Sequence, residues 1–152
     1  TRSFHVTGVQ TCALPIFFSL ESEGGQGAHL EAIHAQGAVQ NYLQNFAPRN
    51  FEEIADIPYL LRLMTGICAD LSSLDSELEK HSDHWKLYRM TRIDRNILRI
   101  GAEELKSFRD VPSKVTLDEC VELAKRFGTD DSSAFVNGVL DKIRQSLGRS
   151  GE

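Results

Sequence analysis

Few residues in this chain have the types and spacing that catalysis or metal binding requires. His81 and His84 lie three positions apart, but no convincing third and fourth ligand is nearby, so no metal site is predicted. Cys12, Cys68 and Cys120 show neither paired nor metal-like spacing, and the last two lie on apolar helix faces, as buried free thiols do. The sequence has no nucleophile elbow and no phosphate-cradling glycine loop. We therefore expect a binding protein without catalytic residues or a cofactor.

Basic residues are concentrated in the second half of the chain. Residues 17–84 contain 3 Lys+Arg against 11 Asp+Glu, whereas residues 85–152 contain 13 against 11. The net charge of −5 is atypical of a nucleic-acid binder, but this distribution permits a local phosphate-binding patch. Arg92, Arg95 and Arg99 follow i, i+3, i+7 spacing. This stripe is either a solvated face of ion pairs, with Arg99 paired to Glu103, or a surface for phosphates or an acidic partner.

Three amphipathic helices after residue 90 must position these groups. Thr91 is the predicted N-cap of the first helix, and Thr116 with Glu119 has the T-x-x-E spacing of a capping box at the second. The Asp130–Ser133 cluster is predicted to cap the third. Their apolar faces predict one shared core. Because no alternating apolar pattern and no apolar run of ~18 residues occurs, the sequence predicts an all-α fold without a membrane span.

Individual positions carry further expectations. Trp85 is predicted to anchor the core rather than to stack on bases, and Phe127 to belong to the buried stripe of its helix. Gly128 is the expected left-handed stop of that helix. Asn137 and Gly138 are expected to permit close helix packing and to satisfy polar groups. An earlier helix is predicted from Ile57 to residue 71 or 74.

The order of several motifs carries a family resemblance. W-K-L-x-R-M, I-D-R-N-I-L-R-I-x-x-x-E-L, V-P-x-K-V, E-L-A-K-x-F-G-x-x-D-S and F-V-N-G-V-L-D follow one another from residue 85 to 141. Over roughly residues 51–143 the chain resembles the NusB family of bacterial transcription antitermination factors. The resemblance implies a NusB-like all-α bundle of about six to seven helices in two packed subdomains. It also implies a cytoplasmic protein that binds boxA of nascent ribosomal-RNA transcripts with NusE, a small-subunit ribosomal protein, in the RNA polymerase elongation complex.

The same resemblance nominates site residues. On the RNA side these are Lys114, Asp131, Ser132 and Phe135, which could neutralise a phosphate, hydrogen-bond to bases and stack on them. Each has a structural alternative: a plain surface lysine, two helix-capping residues and a core phenylalanine. On the NusE side they are Phe18 and Asp94. Asp94 either pairs with a basic partner residue or is favoured in the first turn of its own helix by the helix dipole.

The first 16 residues have a different character. Residues 6–16, VTGVQTCALPI, resemble the translation of a sequencing adapter, so we expect residues 1–16 to be non-native, residues 17–148 to form the NusB-like domain and 149–152 to be a tail. The arginine-rich first helix of NusB proteins contributes to RNA binding and has no counterpart here. We therefore expect impaired, weak boxA binding, because lost phosphate contacts reduce affinity steeply.

Two other function classes remain open. NusB-like domains also form the RNA-binding N-terminal part of ribosomal-RNA cytosine methyltransferases, so the chain could be a fragment of such an enzyme. A Rossmann-like continuation in the encoding DNA would favour that enzyme, and a stop codon would favour the antitermination factor. A helical module for protein contacts alone is the third class, and it would bind NusE without RNA dependence.

Overall fold

The computed structural model describes residues 56–83 and 85–151, together with the single residues 13, 37, 40, 41, 44 and 45. The described part of the chain is helical and contains no strand, which confirms the all-α prediction for these residues. It holds five α-helices; the predicted total of six to seven concerns the whole chain and stays a prediction. No helix in the described part is both long and apolar enough to cross a bilayer.

The chain divides into two compact units, residues 1–71 and 72–152. Within the first unit, helix α1 spans Ile57–Ala69, and Asp56 caps it by accepting a hydrogen bond from the Tyr59 backbone N–H at 3.1 Å. Its buried side chains follow helical spacing and are Leu60, Leu63, Met64, Ile67 and Cys68. The predicted continuation to residue 71 or 74 is wrong, because Asp70 leaves helical geometry (φ −136°, ψ 36°) and a new helix begins after it.

The second unit contains the other four α-helices, with the start of α2 at its edge. They are α2 (Leu71–His81), α3 (Arg92–Ser107), α4 (Ser113–Phe127) and α5 (Ser132–Ser146), and a short 3-10 turn, Leu87–Arg89, precedes α3. Helices α3, α4 and α5 pack against one another in all three pairings. Their apolar side chains are buried together, including Ile97, Ile100, Leu105, Cys120, Leu123, Val136, Val139 and Leu140. The predicted shared core of these three helices is confirmed.

The helix starts agree only partly with the sequence signals. The Thr91 hydroxyl accepts from the Asp94 backbone N–H at 3.2 Å, so the predicted cap of α3 is confirmed. The predicted capping box of α4 is wrong. The Pro112 carbonyl already accepts from the N–H groups of Val115 and Thr116, so the helix begins at Ser113. Thr116 is therefore the fourth residue of the helix and not its cap; it is buried, and its hydroxyl has no hydrogen-bond partner among the described residues.

Trp85 does not anchor the core. The side chain is 53% exposed, so the prediction of a core anchor is wrong. Trp85 lies between the end of α2 and the 3-10 turn, outside the helical stripes that α3, α4 and α5 bury. The burial that periodicity predicts applies inside helices and does not extend to the connection before them.

A different glycine from the predicted one permits close helix packing. A Cβ added at Gly101 of α3 would lie 2.7 Å from Leu140 Cδ1 and 2.9 Å from Cys120 Sγ, whereas one added at Gly138 would meet nothing within 4 Å. The expectation for Gly138 is therefore wrong, because this residue is on the exposed side of α5. The glycine that close packing requires is therefore Gly101, where α3 meets Cys120 of α4 and Leu140 of α5.

Alanine substitutions at these two glycines should change stability in opposite directions. Gly101→Ala should lower the free energy of unfolding by roughly 1–2 kcal/mol, because overpacking outweighs the gain in helix propensity. Gly138→Ala should raise it by about 0.5–1 kcal/mol, because alanine restricts the unfolded chain and meets no neighbour. Urea unfolding followed by helical circular dichroism measures both. Equal stabilisation by the two substitutions would contradict the tight contact at Gly101.

Candidate nucleic-acid interface at the junction of α4 and α5

The junction between α4 and α5 is a short, tightly bonded turn. Phe127 ends α4, and the Gly128 N–H donates to the Ala124 carbonyl at 2.9 Å. Gly128 is in extended geometry (φ −93°), so the predicted left-handed stop is wrong. Glycine is needed there because an added Cβ would fall on the Ser132 side chain. The close approach of Ser132 therefore explains this glycine.

Ser132 holds the junction from inside. The residue is 1% exposed, and its hydroxyl accepts from the Thr129 backbone N–H at 2.9 Å and lies 3.2 Å from the Thr129 hydroxyl. A hydroxyl in this position fixes the backbone of the turn rather than facing solvent. Its predicted contact with RNA stays a prediction, and the geometry gives it a positioning role for the residues around it.

Asp131 is exposed beside this turn. It occupies the N-cap position of α5, but its side chain makes no capping hydrogen bond. Asp130 is exposed as well. Two carboxylates at this point repel phosphates, but they can accept hydrogen bonds from amino groups on the edges of bases. The junction is thus suited to contact bases, provided that cations elsewhere bind the backbone.

Two phenylalanines flank the junction. Phe135 is half-buried in the first turn of α5. Phe127, which the sequence pattern assigns to the core stripe, is 45% exposed, so that assignment is wrong. The guanidinium of Arg126 lies 5.2 Å from the centroid of the Phe127 ring. Phe127 lies in the last turn of α4 and was missed as a candidate, since apolar periodicity alone cannot separate the covered turns of a helix from its exposed end.

Lys114 lies at the other end of α4. It is exposed and is the second residue of the helix. The 13 residue steps from Lys114 to Phe127 correspond to roughly 20 Å at the rise of an α-helix. The structure therefore brings Asp131, Ser132 and Phe135 together at the junction but places Lys114 away from them.

The two residues predicted for partner binding are not brought together in the described part of the chain. Phe18 lies outside the described residues. Asp94 is in the first turn of α3, where the helix dipole favours a carboxylate, and the residue is buried. Its Oδ1 atom has no hydrogen-bond donor among the described residues. A role of either residue in partner binding stays a prediction.

The described residues offer no alternative centre for metal chemistry. No group of three or more His, Cys, Asp or Glu side chains within them could hold a metal ion, and His84 is not among them. Cys68 and Cys120 are buried free thiols, which confirms that expectation. Burial first, and then the carboxylates of Glu104 and Glu119, raise the pKa of the Cys120 thiol well above its ordinary value. Cys120 is accordingly a neutral core residue.

Comparisons with known proteins give the family. A sequence model of the NusB family matches residues 9–145. The transcription antitermination protein NusB of Sorangium cellulosum is 52% identical over 91 residues, which cover 60% of this chain and 65% of that protein. NusB of Desulfitobacterium hafniense is 34% identical over 140 residues, covering 92% and 88%. The solved structure of T. maritima NusB has a TM-score of 0.69 at 29% identity, covering 95% of this chain and 91% of that one. This chain is therefore a member of the NusB family, whose relatives named here are transcription antitermination proteins.

Proposed function

We propose that this protein is an RNA-binding transcription antitermination factor that acts with NusE on boxA-type sequences of nascent ribosomal-RNA transcripts. It does so in the cytoplasm, as part of the RNA polymerase elongation complex. The observation that carries the proposal is the family match along residues 9–145. A relative that aligns over most of the chain is named a transcription antitermination protein. The site geometry supports a single-stranded RNA ligand.

The junction supplies groups for bases, and the remainder of α4 supplies groups for phosphates. Phe135 and Phe127 present aromatic rings on which bases can stack, and Asp131 presents acceptors for amino groups. Lys114 and Arg126 supply the cations, one near each end of the same helix. An extended single strand that runs along α4 meets both sets of groups. A duplex hides its base edges and cannot stack on the phenylalanines, so this arrangement favours unpaired RNA.

The experiment is a titration of a boxA RNA and a scrambled RNA of equal length, with and without NusE, over a range of salt concentrations. We expect boxA to bind more tightly than the scrambled RNA, and NusE to increase its affinity. Lys114→Gln should weaken the binding of both RNAs. It should also reduce the slope of log K against log salt by about 0.7, the value for one phosphate contact on a single strand. Lys114 contributes charge and not base recognition, so the preference for boxA should persist.

The matched control is Lys114→Arg, which keeps the positive charge and should keep the salt slope. The proposal would be refuted by equal affinity for boxA and scrambled RNA together with no effect of NusE. A loss of the boxA preference in Lys114→Gln would show instead that this side chain reads bases, contrary to the role assigned here.

A further inference from the structure

A second basic and aromatic segment precedes α3 and includes none of the residues of the α4–α5 junction. Trp85 is 53% exposed and Tyr88 is 74% exposed, and they are among the few large apolar side chains that the described part of the chain leaves to solvent. The guanidinium of Arg89 lies 5.9 Å from the centroid of the Tyr88 ring. Lys86 and Arg92 are also exposed. Two rings and three cations therefore occur within eight residues, and this set is called the Trp85 surface below.

The backbone under this surface is firmly held. The buried Ser82 hydroxyl donates to the Trp85 carbonyl at 2.8 Å, and the Glu79 carboxylate accepts from the Leu87 N–H at 3.1 Å. Met90, which follows the 3-10 turn, is buried. The exposure of Trp85 and Tyr88 is thus built into an anchored segment.

Two of the nearby acidic groups pair with lysines. The Glu79 carboxylate lies 3.5 Å from Lys86 Nζ, and the Asp83 carboxylate lies 2.6 Å from Lys142 Nζ. Arg89 and Arg92 add positive charge beside the rings. Exposed aromatic rings interleaved with cations match a single strand of nucleic acid, in which stacking bases alternate with phosphates. An apolar protein partner would be expected to meet a broader uncharged patch than these two rings with charged neighbours provide.

We propose that the Trp85 surface is a second contact for single-stranded RNA, on which two bases stack against Trp85 and Tyr88 while Arg89 and Arg92 bind the adjoining phosphates. This inference rests on the proposed function and extends it, because it enlarges the RNA footprint beyond the junction of α4 and α5. Recognition here is independent of sequence, since every base has a face that stacks.

Fluorescence tests the stacking directly, because Trp85 is the only tryptophan of the chain. The full chain is titrated with a boxA RNA that has unpaired flanking nucleotides, and with the same RNA annealed to its complement. We expect the single strand to quench the Trp85 emission, and half-maximal quenching to occur at the RNA concentration that gives half-maximal binding. We expect the duplex to leave the emission unchanged. Binding of the single strand without any change in Trp85 emission would overturn the inference but leave the proposed function intact.

Substitutions test the contribution to affinity. The double variant Trp85→Ala/Tyr88→Ala should bind the flanked RNA about 10- to 100-fold more weakly, as expected for the loss of two stacked bases. The control Trp85→Phe/Tyr88→Phe keeps both rings and should retain most of the affinity. Both variants should fold, because the rings are exposed, and helical circular dichroism verifies this.

Three other outcomes would count against the inference. Unchanged RNA affinity in the double alanine variant would overturn it. Loss of NusE binding with intact RNA binding would assign the Trp85 surface to a protein partner and overturn it as well. If the parent chain bound neither boxA nor any other single strand, both this inference and the proposed function would fail, which distinguishes that result from the first two.

Discussion

Replacing Arg149 by methionine is expected to lower the free energy of unfolding by at least about 3 kcal/mol, because it leaves buried carbonyl oxygens without their donors. Arg149 is 1% exposed. Its guanidinium donates to the carbonyl oxygens of Leu105, at 2.8 Å, and Val111, at 2.6 Å. The Ser113 hydroxyl in turn donates to the Arg149 carbonyl at 3.2 Å. The Arg149 side chain thus ties the segment after α5 to α3 and to the connection after it, and the Arg149 backbone carbonyl adds a bond to the start of α4.

The position of the guanidinium explains why a cation is tolerated there. Leu105 lies in the last turn of α3, where carbonyl oxygens lack intrahelical donors and carry the negative end of the helix dipole. Arg149 satisfies one of these oxygens and supplies the positive charge that such a helix end favours. The planar fork of the guanidinium also reaches two acceptors at once, which the single ammonium of lysine cannot do in the same geometry.

Urea unfolding of three variants measures the effect. Arg149→Met should show the full loss, and Arg149→Lys should show roughly half of it, because one of two charge-assisted bonds can be kept. The control is Arg109→Gln, an exposed arginine in the connection after α3, which should stay within about 0.5 kcal/mol of the parent chain. An Arg149→Met variant as stable as Arg109→Gln would contradict the buried role of the guanidinium.

Local signals in the sequence predicted those features that depend on one or two helical turns. The Thr91 cap and the burial of Cys120 follow from residue type and helical spacing. The shared core of α3, α4 and α5 also follows, because three consecutive apolar stripes must be buried against something. Each of these predictions is confirmed by the structure.

Features that depend on distant residues were not predictable from the pattern. The Leu105 carbonyl and the Arg149 guanidinium are 44 residues apart. Helical spacing marks Glu103, one turn away, as a partner that Arg99 can reach, but it gives no sign of Asp75, 24 residues earlier, whose carboxylate Arg99 binds. Helical spacing indicates which side chains a helix can offer, but only the packing of one helix on another determines which partner is reached.

The candidate site shows the same division. Amphipathic spacing assigned Phe127 to the core, but in the structure this residue is 45% exposed. Lys114, Asp131, Ser132 and Phe135 were nominated by family resemblance, since none of them has a local pattern that marks it as an RNA contact. Their separation into a junction group and a lysine near the far end of α4 depends on the helix between them, whose start the sequence signals misplaced.

Removing the carboxylate of Asp75 is expected to cost about 3 kcal/mol of stability, within the range for breaking a buried ion pair by removing one partner. The Arg99 guanidinium donates to both carboxylate oxygens of Asp75, at 2.7 Å and 2.8 Å. Arg99 also lies 3.3 Å from the Asn96 side-chain oxygen and is buried. Asp75→Leu therefore leaves a buried cation without its bidentate carboxylate, and the tie between α2 and α3 is lost.

A double-mutant cycle separates the pair from the packing around it. Arg99→Met should cost less than Asp75→Leu, because the Asp75 side chain is 22% exposed and water can hydrate the remaining carboxylate. The double variant Arg99→Met/Asp75→Leu should recover to within about 1 kcal/mol of the parent, since an apolar pair of similar volume replaces the ion pair without the cost of burying charge. The control is the exposed pair of Lys80 and Glu77 at 3.9 Å, where Lys80→Met should change stability by less than about 0.5 kcal/mol. Purely additive effects of the two substitutions would show that the carboxylate and the guanidinium stabilise the helices independently.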